Sequence, residues 1–128
     1  MPYYKLEEFL VDCSYGSKRV IVLFDAKNDA RIDFNLDTPQ RLLDFISCNG
    51  LESPYFINSK KWENNPDKSK TIMVDAWGFY TGPAHGYIAY FFRSDTKKWI
   101  IKSFKKNTNP DMRNLAFKND IRRSDNLH

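Results

Sequence analysis

The segment "GYIAYFFRSDTKKWIIKSFKKNTNPD" (residues 86–111) places an aromatic run, a polar turn and a lysine-studded apolar run in succession. "YIAYFFR" (87–93) and "KKWIIKSFKK" (97–106) are rich in β-branched and aromatic residues and bounded by turn formers, which predicts two strands of an antiparallel meander. Strand alternation assigns Trp99, Ile101 and Ser103 to one face with Lys97 and Lys105. Lys98, Ile100, Lys102 and Phe104 fall on the other. In the neighbouring strand Tyr87, Ala89, Phe91 and Arg93 share one face, and Ile88, Tyr90 and Phe92 share the other. Lys102 is thus a mid-strand charge between apolar neighbours. On an edge strand such a lysine guards against aggregation; on a central strand it opens into a groove.

Working outward from this hairpin, "TIMVDAWGFY" (71–80) predicts a third strand and "TGPAHG" (81–86) a turn that carries His85. "ENNPDKSK" (63–70) reads as an exposed loop and "PYFINSKKW" (54–62) as an extended segment. "DTPQRLLDFISCNG" (37–50) predicts a helix, with Thr38 as its cap, Pro39 in the first turn, an apolar stripe of Leu42, Leu43, Phe45 and Ile46, and a stop at Asn49-Gly50. Towards the N-terminus, residues 4–11 suit a short helix. "KRVIVLFDA" (18–26) suits a buried strand, and "ARIDFNL" (30–36) alternates as a half-buried one, with a hairpin turn between them. Residues 107–123 predict a closing helix capped at Asn109. The fold class expected is α+β, a single domain over 1–128: a curved antiparallel sheet with two or three helices packed on it, residues 1–36 supplying a strand region.

The bulk composition sets bounds. Hydrophobic residues make up 41% of 128, enough for a core that needs no disulfide or metal staple. No apolar run is long enough to cross a membrane, and the start "MPYYKLEEFL" does not read as a signal peptide. Cys13 and Cys48 therefore read as free thiols and the chain as cytoplasmic. The net charge of +4 is unevenly spread: residues 1–92 carry ten basic and twelve acidic side chains, residues 93–128 ten and four. A field concentrated in the last quarter suits a polyanion, whether nucleic acid, an acidic protein or an anionic membrane face. A solvated lysine-rich surface is the plain alternative.

A sheet lined by lysine, arginine, tyrosine and histidine carries what RNA chemistry requires. Cations neutralise phosphate, and aromatics stack unpaired bases. The 2′-hydroxyl of RNA is an internal nucleophile, so cleavage needs a proton acceptor, cations for the phosphorane and a proton donor, with no metal or cofactor required. His85 has the proton affinity of an acid or base at neutral pH, against the plain alternative of a solvated turn histidine. Tyr80 and Tyr87 can exchange protons or stack bases, or simply pack the core. Lys102 is the leading catalytic candidate. Lys60, Lys61, Arg93, Lys98, Lys105, Lys106 and Arg122 are the candidate RNA contacts; Arg122 alternatively complements the negative end of the closing helix. His85 and His128 are the two histidines, with no Cys/His pairing of metal-ligand spacing, so no metal site is expected.

In order along the chain, "QRLLDFISCNG", "PYFINSKKW", "DAWGFYTG", "YIAYFF", "WIIKSFKKNTNPD" and "NLAFKNDIRR" resemble the RelE/HigB superfamily, within the wider barnase-like and RelE-like group of metal-independent ribonucleases. The agreement runs from about residue 40 to 125, about two-thirds of the chain, and is nearly ungapped over 87–110. The resemblance implies a RelE-like core over 37–125, an mRNA-cleaving toxin that often works on the ribosome, and an acidic antitoxin that blocks it. The family's basic residues before its "W-E-L-R" strand match Lys60 and Lys61, and those of its last strand match Lys102, Lys105 and Lys106. Three departures stand out. Tyr80 replaces the arginine that closes "W-E-L-R", "ENNPDKSK" is an insertion, and the first 36 residues show two strands in place of the family's helical hairpin.

The alternative to a ribonuclease is a non-catalytic module that binds RNA or an acidic protein through the same basic sheet face, as an inhibitor or immunity-type protein would. It is favoured by Tyr80, as the ribonuclease is by the succession of motifs. A small-molecule enzyme has no glycine-rich phosphate loop or nucleophile motif to support it.

Overall fold

A computed structural model of the chain describes residues 1–109. The order of elements is α1 (Leu6–Cys13), a 3₁₀ turn (Gly16–Lys18), β1 (Val20–Val22), α2 (Phe24–Phe34), α3 (Pro39–Ser47), β2 (Glu52–Lys61), β3 (Met73–Thr81), β4 (Ala84–Arg93) and β5 (Lys98–Lys106). The five strands form one sheet in the order β1-β5-β4-β3-β2. The α+β class holds. The sheet is mixed, however, not antiparallel throughout: β1 runs parallel to β5, while β2 to β5 form the antiparallel meander expected. The helix anticipated at 107–123 lies, beyond Asn109, outside the described residues.

The N-terminal third holds the main correction. Residues 30–36 are not a strand; Ala30–Phe34 finish helix α2, and only Val20–Val22 of the preceding run is extended. The alternation of Ile32, Phe34 and Leu36 competes with a helical stripe of Ala26, Ala30 and Phe34 at four-residue spacing. The stripe wins because two alanines let the helix lie close to the core; Ala26 and Ala30 are fully buried while Ile32 is 62% exposed. Asn35 ends the helix in the left-handed conformation at φ 58°, its N–H bonded to the Arg31 carbonyl, and the Leu36 N–H returns to Ala30. Helix α3 forms as its sequence predicts, with the Thr38 hydroxyl accepting from the Arg41 N–H at 3.1 Å.

All three helices contribute to the core on one face of the sheet. Phe9, Leu42, Leu43 and Ile46 from the helices meet Phe79, Ile88, Tyr90, Ile101 and Phe104 from the strands, all fully or almost fully buried. Phe9 stacks flat on Tyr90 with centroids 3.9 Å apart. Trp99 is buried beside them, and its indole N–H donates to Asp12 at 2.8 Å. Asp75 anchors the N-terminal segment: its two carboxylate oxygens accept the Tyr3 and Tyr4 N–H groups at 3.1 and 2.8 Å. The opposite face has a smaller cluster of Val74, Ala76, Ala89, Phe91 and Ile100, with Trp62 stacked on Phe91 at 4.6 Å.

Strict alternation in β5 breaks at a bulge. Tyr90 pairs with Ile101 and Ala89 with Ser103, so Lys102 is the extra residue. The consequence is a change of partners: Phe104 joins Trp99 and Ile101 on the helix side, and Lys105 moves to the side of Tyr87. The faces expected for β4 stand, with Ala89 and Phe91 in one cluster and Ile88 and Tyr90 in the other.

Candidate functional site

The face of the meander that points away from the Phe9–Tyr90 core carries the candidate site. Strand β3 exits into a turn at Gly82–Pro83, so His85 is a β4 strand residue, not the turn residue its sequence context suggests. It pairs across the hairpin with Tyr80. The two rings stack nearly parallel, 4.6 Å apart at 9°. The Glu52 carboxylate holds the turn by accepting the Gly82 N–H at 2.7 Å.

A second tyrosine reaches His85 from two strands away. Tyr55 of β2 lies opposite Gly78 of β3. A Cβ on Gly78 would stand 2.1 Å from the Tyr55 ring, so only glycine there lets the ring lie across β3. Its hydroxyl comes within 2.5 Å of His85 Nε2. Asn107, just past β5, completes the cluster: its side-chain Nδ2 lies 3.3 Å from Tyr55 Oη and 3.4 Å from His85 Nε2. Its backbone N–H donates to the His85 carbonyl at 2.8 Å, extending the β4–β5 ladder by one bond.

Beside this cluster runs a cleft of about 620 Å³ lined by Tyr55, Asn58, Tyr87, Lys60, Lys105, Lys106 and residues 107–109. The Lys105 ammonium sits over the Tyr87 ring, 5.6 Å from its centroid. Burial pushes the Tyr87 phenol above its ordinary pKa, so it stays protonated at neutral pH. Asn58, Lys60 and Tyr87 also border a second hollow of about 260 Å³, which adds Lys61 and Lys102. The lysines of β2 and β5 therefore face one another across the alanines Ala76 and Ala89, whose short side chains leave the middle of the sheet low.

The expected site residues divide into two groups and one that lies outside the described residues, Arg122. His85, Tyr80, Tyr87, Lys60, Lys61, Lys102, Lys105 and Lys106 gather on or beside the sheet face that points away from the core. Lys102 stands about 13 Å along the sheet from His85, four residues at strand rise, so it lies beside the second hollow and not against His85. Arg93 and Lys98 are brought together at the far end of the hairpin. There Arg93 is engaged by Asp95, 2.7 Å away, whose carboxyl that contact holds below its ordinary pKa. Tyr55, Asn58 and Asn107 are site residues that the sequence reading missed. The clue was Gly78 in "WGFY", a glycine inside a strand marking a close approach. Asp75, within β3, has both carboxylate oxygens occupied by backbone N–H groups. Protein-family models, curated proteins and solved structures give no match to this chain.

Proposed function

We propose that the protein is the toxin of a toxin–antitoxin pair, a cytoplasmic endoribonuclease that cleaves mRNA, free or on the ribosome, without a metal. The observation that carries this reading is the Tyr55–His85 pair at the edge of a lysine-lined cleft. In the reaction the RNA 2′-oxygen attacks the adjacent phosphorus. Tyr55 takes the 2′-proton as its own passes to His85 Nε2. Lys60 and Lys105 neutralise the phosphorane, and the P–O5′ bond breaks as the leaving oxygen takes a proton from the Lys105 ammonium. The products are a 2′,3′-cyclic phosphate and a 5′-hydroxyl. Tyr87 offers a stacking platform beside the phosphate, and Lys102 and Lys61 hold the strand further along. An acidic antitoxin would cover the same lysines.

The N-terminal correction supports this reading. Helices α2 and α3 follow one another between β1 and β2, an order compatible with the helical hairpin of the resembled family. A second reading, a non-catalytic module that binds RNA or an acidic protein, draws support from Tyr80. Its ring packs flat on His85 where the family carries an arginine. Incubation of a defined mRNA with the protein in EDTA, with and without translating ribosomes, separates the two. New ends bearing 2′,3′-cyclic phosphate, lost in His85→Ala, support the ribonuclease. Intact RNA under both conditions, from folded protein that still binds it, supports the binding module.

A further inference from the structure

The second hollow, of about 260 Å³, is smaller than the roughly 300–1,000 Å³ of sites that take drug-sized ligands, so it suits one flat ring system. Its floor is the cross-strand pair Ala76–Ala89, which brings no side-chain bulk. Two residues along β4 on either side of Ala89, about 7 Å away at strand rise, stand Tyr87 and Phe91. Trp62 stacks on Phe91 with centroids 4.6 Å apart and 30° between the planes, and it lines the hollow half-exposed. Tyr87 and Trp62 are therefore two aromatic walls beside a low floor.

Two strand irregularities converge on this floor. In β2, Phe56 pairs with Trp77 and Asn58 with Ala76, so Ile57 is an extra residue. In a regular ladder Ile57 would stand opposite Ala76, and Asn58 opposite Asp75, which is buried beneath the N-terminal segment. The bulge gives the floor an amide in place of an isoleucine. That amide makes no hydrogen bond to another described residue. In β5 the extra residue is Lys102, which borders the same hollow. Lys60 and Lys61 complete the rim against a single carboxylate, Glu63. Among the described residues none of the three lysines is ion-paired.

We propose that the second hollow is a nucleobase subsite for single-stranded RNA. One unpaired base stacks against Trp62 over the alanine floor, Asn58 hydrogen-bonds its edge, and Lys60 and Lys102 hold the phosphates that flank it. A duplex keeps its bases paired and stacked, so only a single strand can offer one to this slot. Stacking is indifferent to base identity, whereas an amide presents one donor group and one acceptor to edges that differ between bases. Trp62 therefore supplies affinity and Asn58 supplies preference. The hollow shares Asn58, Lys60 and Tyr87 with the larger cleft, so the base it holds belongs to a nucleotide next to the one attacked. The inference rests on the proposed function only in taking RNA as the ligand; it does not require cleavage.

The test is the affinity of the full chain, at one fixed salt concentration, for short 2′-fluoro single strands of A, C or U, which lack the attacking hydroxyl, and for an abasic strand of the same length. Wild-type protein is expected to bind the base-bearing strands more tightly than the abasic one and to rank the three bases. Trp62→Ala should weaken the base-bearing strands by about 5- to 150-fold and leave the abasic strand unchanged. Trp62→Phe, which keeps a ring on Phe91, should retain more of that affinity. Asn58→Ala should level the ranking by about 2- to 10-fold without changing the abasic strand. Its side chain is half-exposed, so this variant decides the matter if Trp62→Ala does not fold. Equal affinity for abasic and base-bearing strands overturns the inference: the lysines would then hold any polyanion, an acidic protein included. Equal losses on all strands in a folded Trp62→Ala protein overturn it too, and a wild type that binds A, C and U alike removes Asn58 as the reader. Base-dependent binding by a protein that leaves ordinary RNA intact would count against the proposed cleavage and support the subsite.

Discussion

The two faces of the sheet are built from the same strands and differ in what they hold. Under the helices, Phe79, Ile88, Tyr90, Ile101 and Phe104 interlock with no water-accessible surface to speak of. On the other face, Ala76 and Ala89 form a low floor flanked by Lys60, Lys102 and Tyr87. A strand can thus be both core and charge, because successive residues serve opposite faces. The bulge at Lys102 sharpens the division by sending Phe104 to the core and Lys105 to the cleft. The stability of the fold and the chemistry of the site are therefore separable by mutation.

The largest effect is expected on the core side. Phe104→Ala should cost about 3–5 kcal/mol in urea unfolding, whereas Lys102→Ala should stay within about 0.5 kcal/mol, since only the first empties packed volume. If the lysine change destabilised as much as the phenylalanine one, the division between faces would be wrong. Next comes His85→Ala, expected to slow the proposed RNA cleavage by about 10²–10⁴-fold, the usual contribution of a proton-transfer group, while unfolding near the wild-type midpoint.

Gly78→Ala is a sharper probe because it acts on the cleft face alone. The added methyl collides with the Tyr55 ring and forces it off His85. The expected outcome is a loss of about 1–3 kcal/mol together with a shift of the His85 ring signals in a ¹H–¹⁵N spectrum of histidine-labelled protein, as the Tyr55 contact is lost. Gly86→Ala is its counterpart on the core face, where the methyl meets the Phe79 ring at 2.2 Å; it should destabilise without displacing Tyr55. The smallest effect concerns the thiols. Cys13 is buried, and desolvation pushes its pKa well above the ordinary thiol range, so it stays protonated and unreactive at neutral pH. Cys48 is exposed. One equivalent of thiol reagent should react with native protein and two after denaturation.

The meander and helix α3 were legible because their signals are local and agree: β-branched aromatic runs between turn residues, and Thr38-Pro39 ahead of an apolar stripe. Helix α2 was not, because residues 30–36, its last turn and exit, alternate like a strand and the alanine stripe that decides it is weakly hydrophobic. The bulge could not be read either, since nothing in "IIKSF" distinguishes a paired residue from an extra one. At the site, the lysines and His85 were visible as residue types. Tyr55 and Asn107 became part of it only through pairing across three strands, a property of register that residue spacing does not carry.

The measurement that bears most directly on the assignment of the cleft face is the salt dependence of binding to a short single-stranded RNA, compared between two pairs of variants. Lys60→Ala and Lys105→Ala alter the cleft; Arg93→Ala and Lys98→Ala alter the far end of the hairpin, where Asp95 already engages the arginine. Each cleft substitution should weaken binding and lower the slope of log K against log salt by about 0.7, the loss of one phosphate contact, with the far-end variants unchanged. Equal losses from both pairs, or loss from the far end alone, would contradict the placement of RNA on this face.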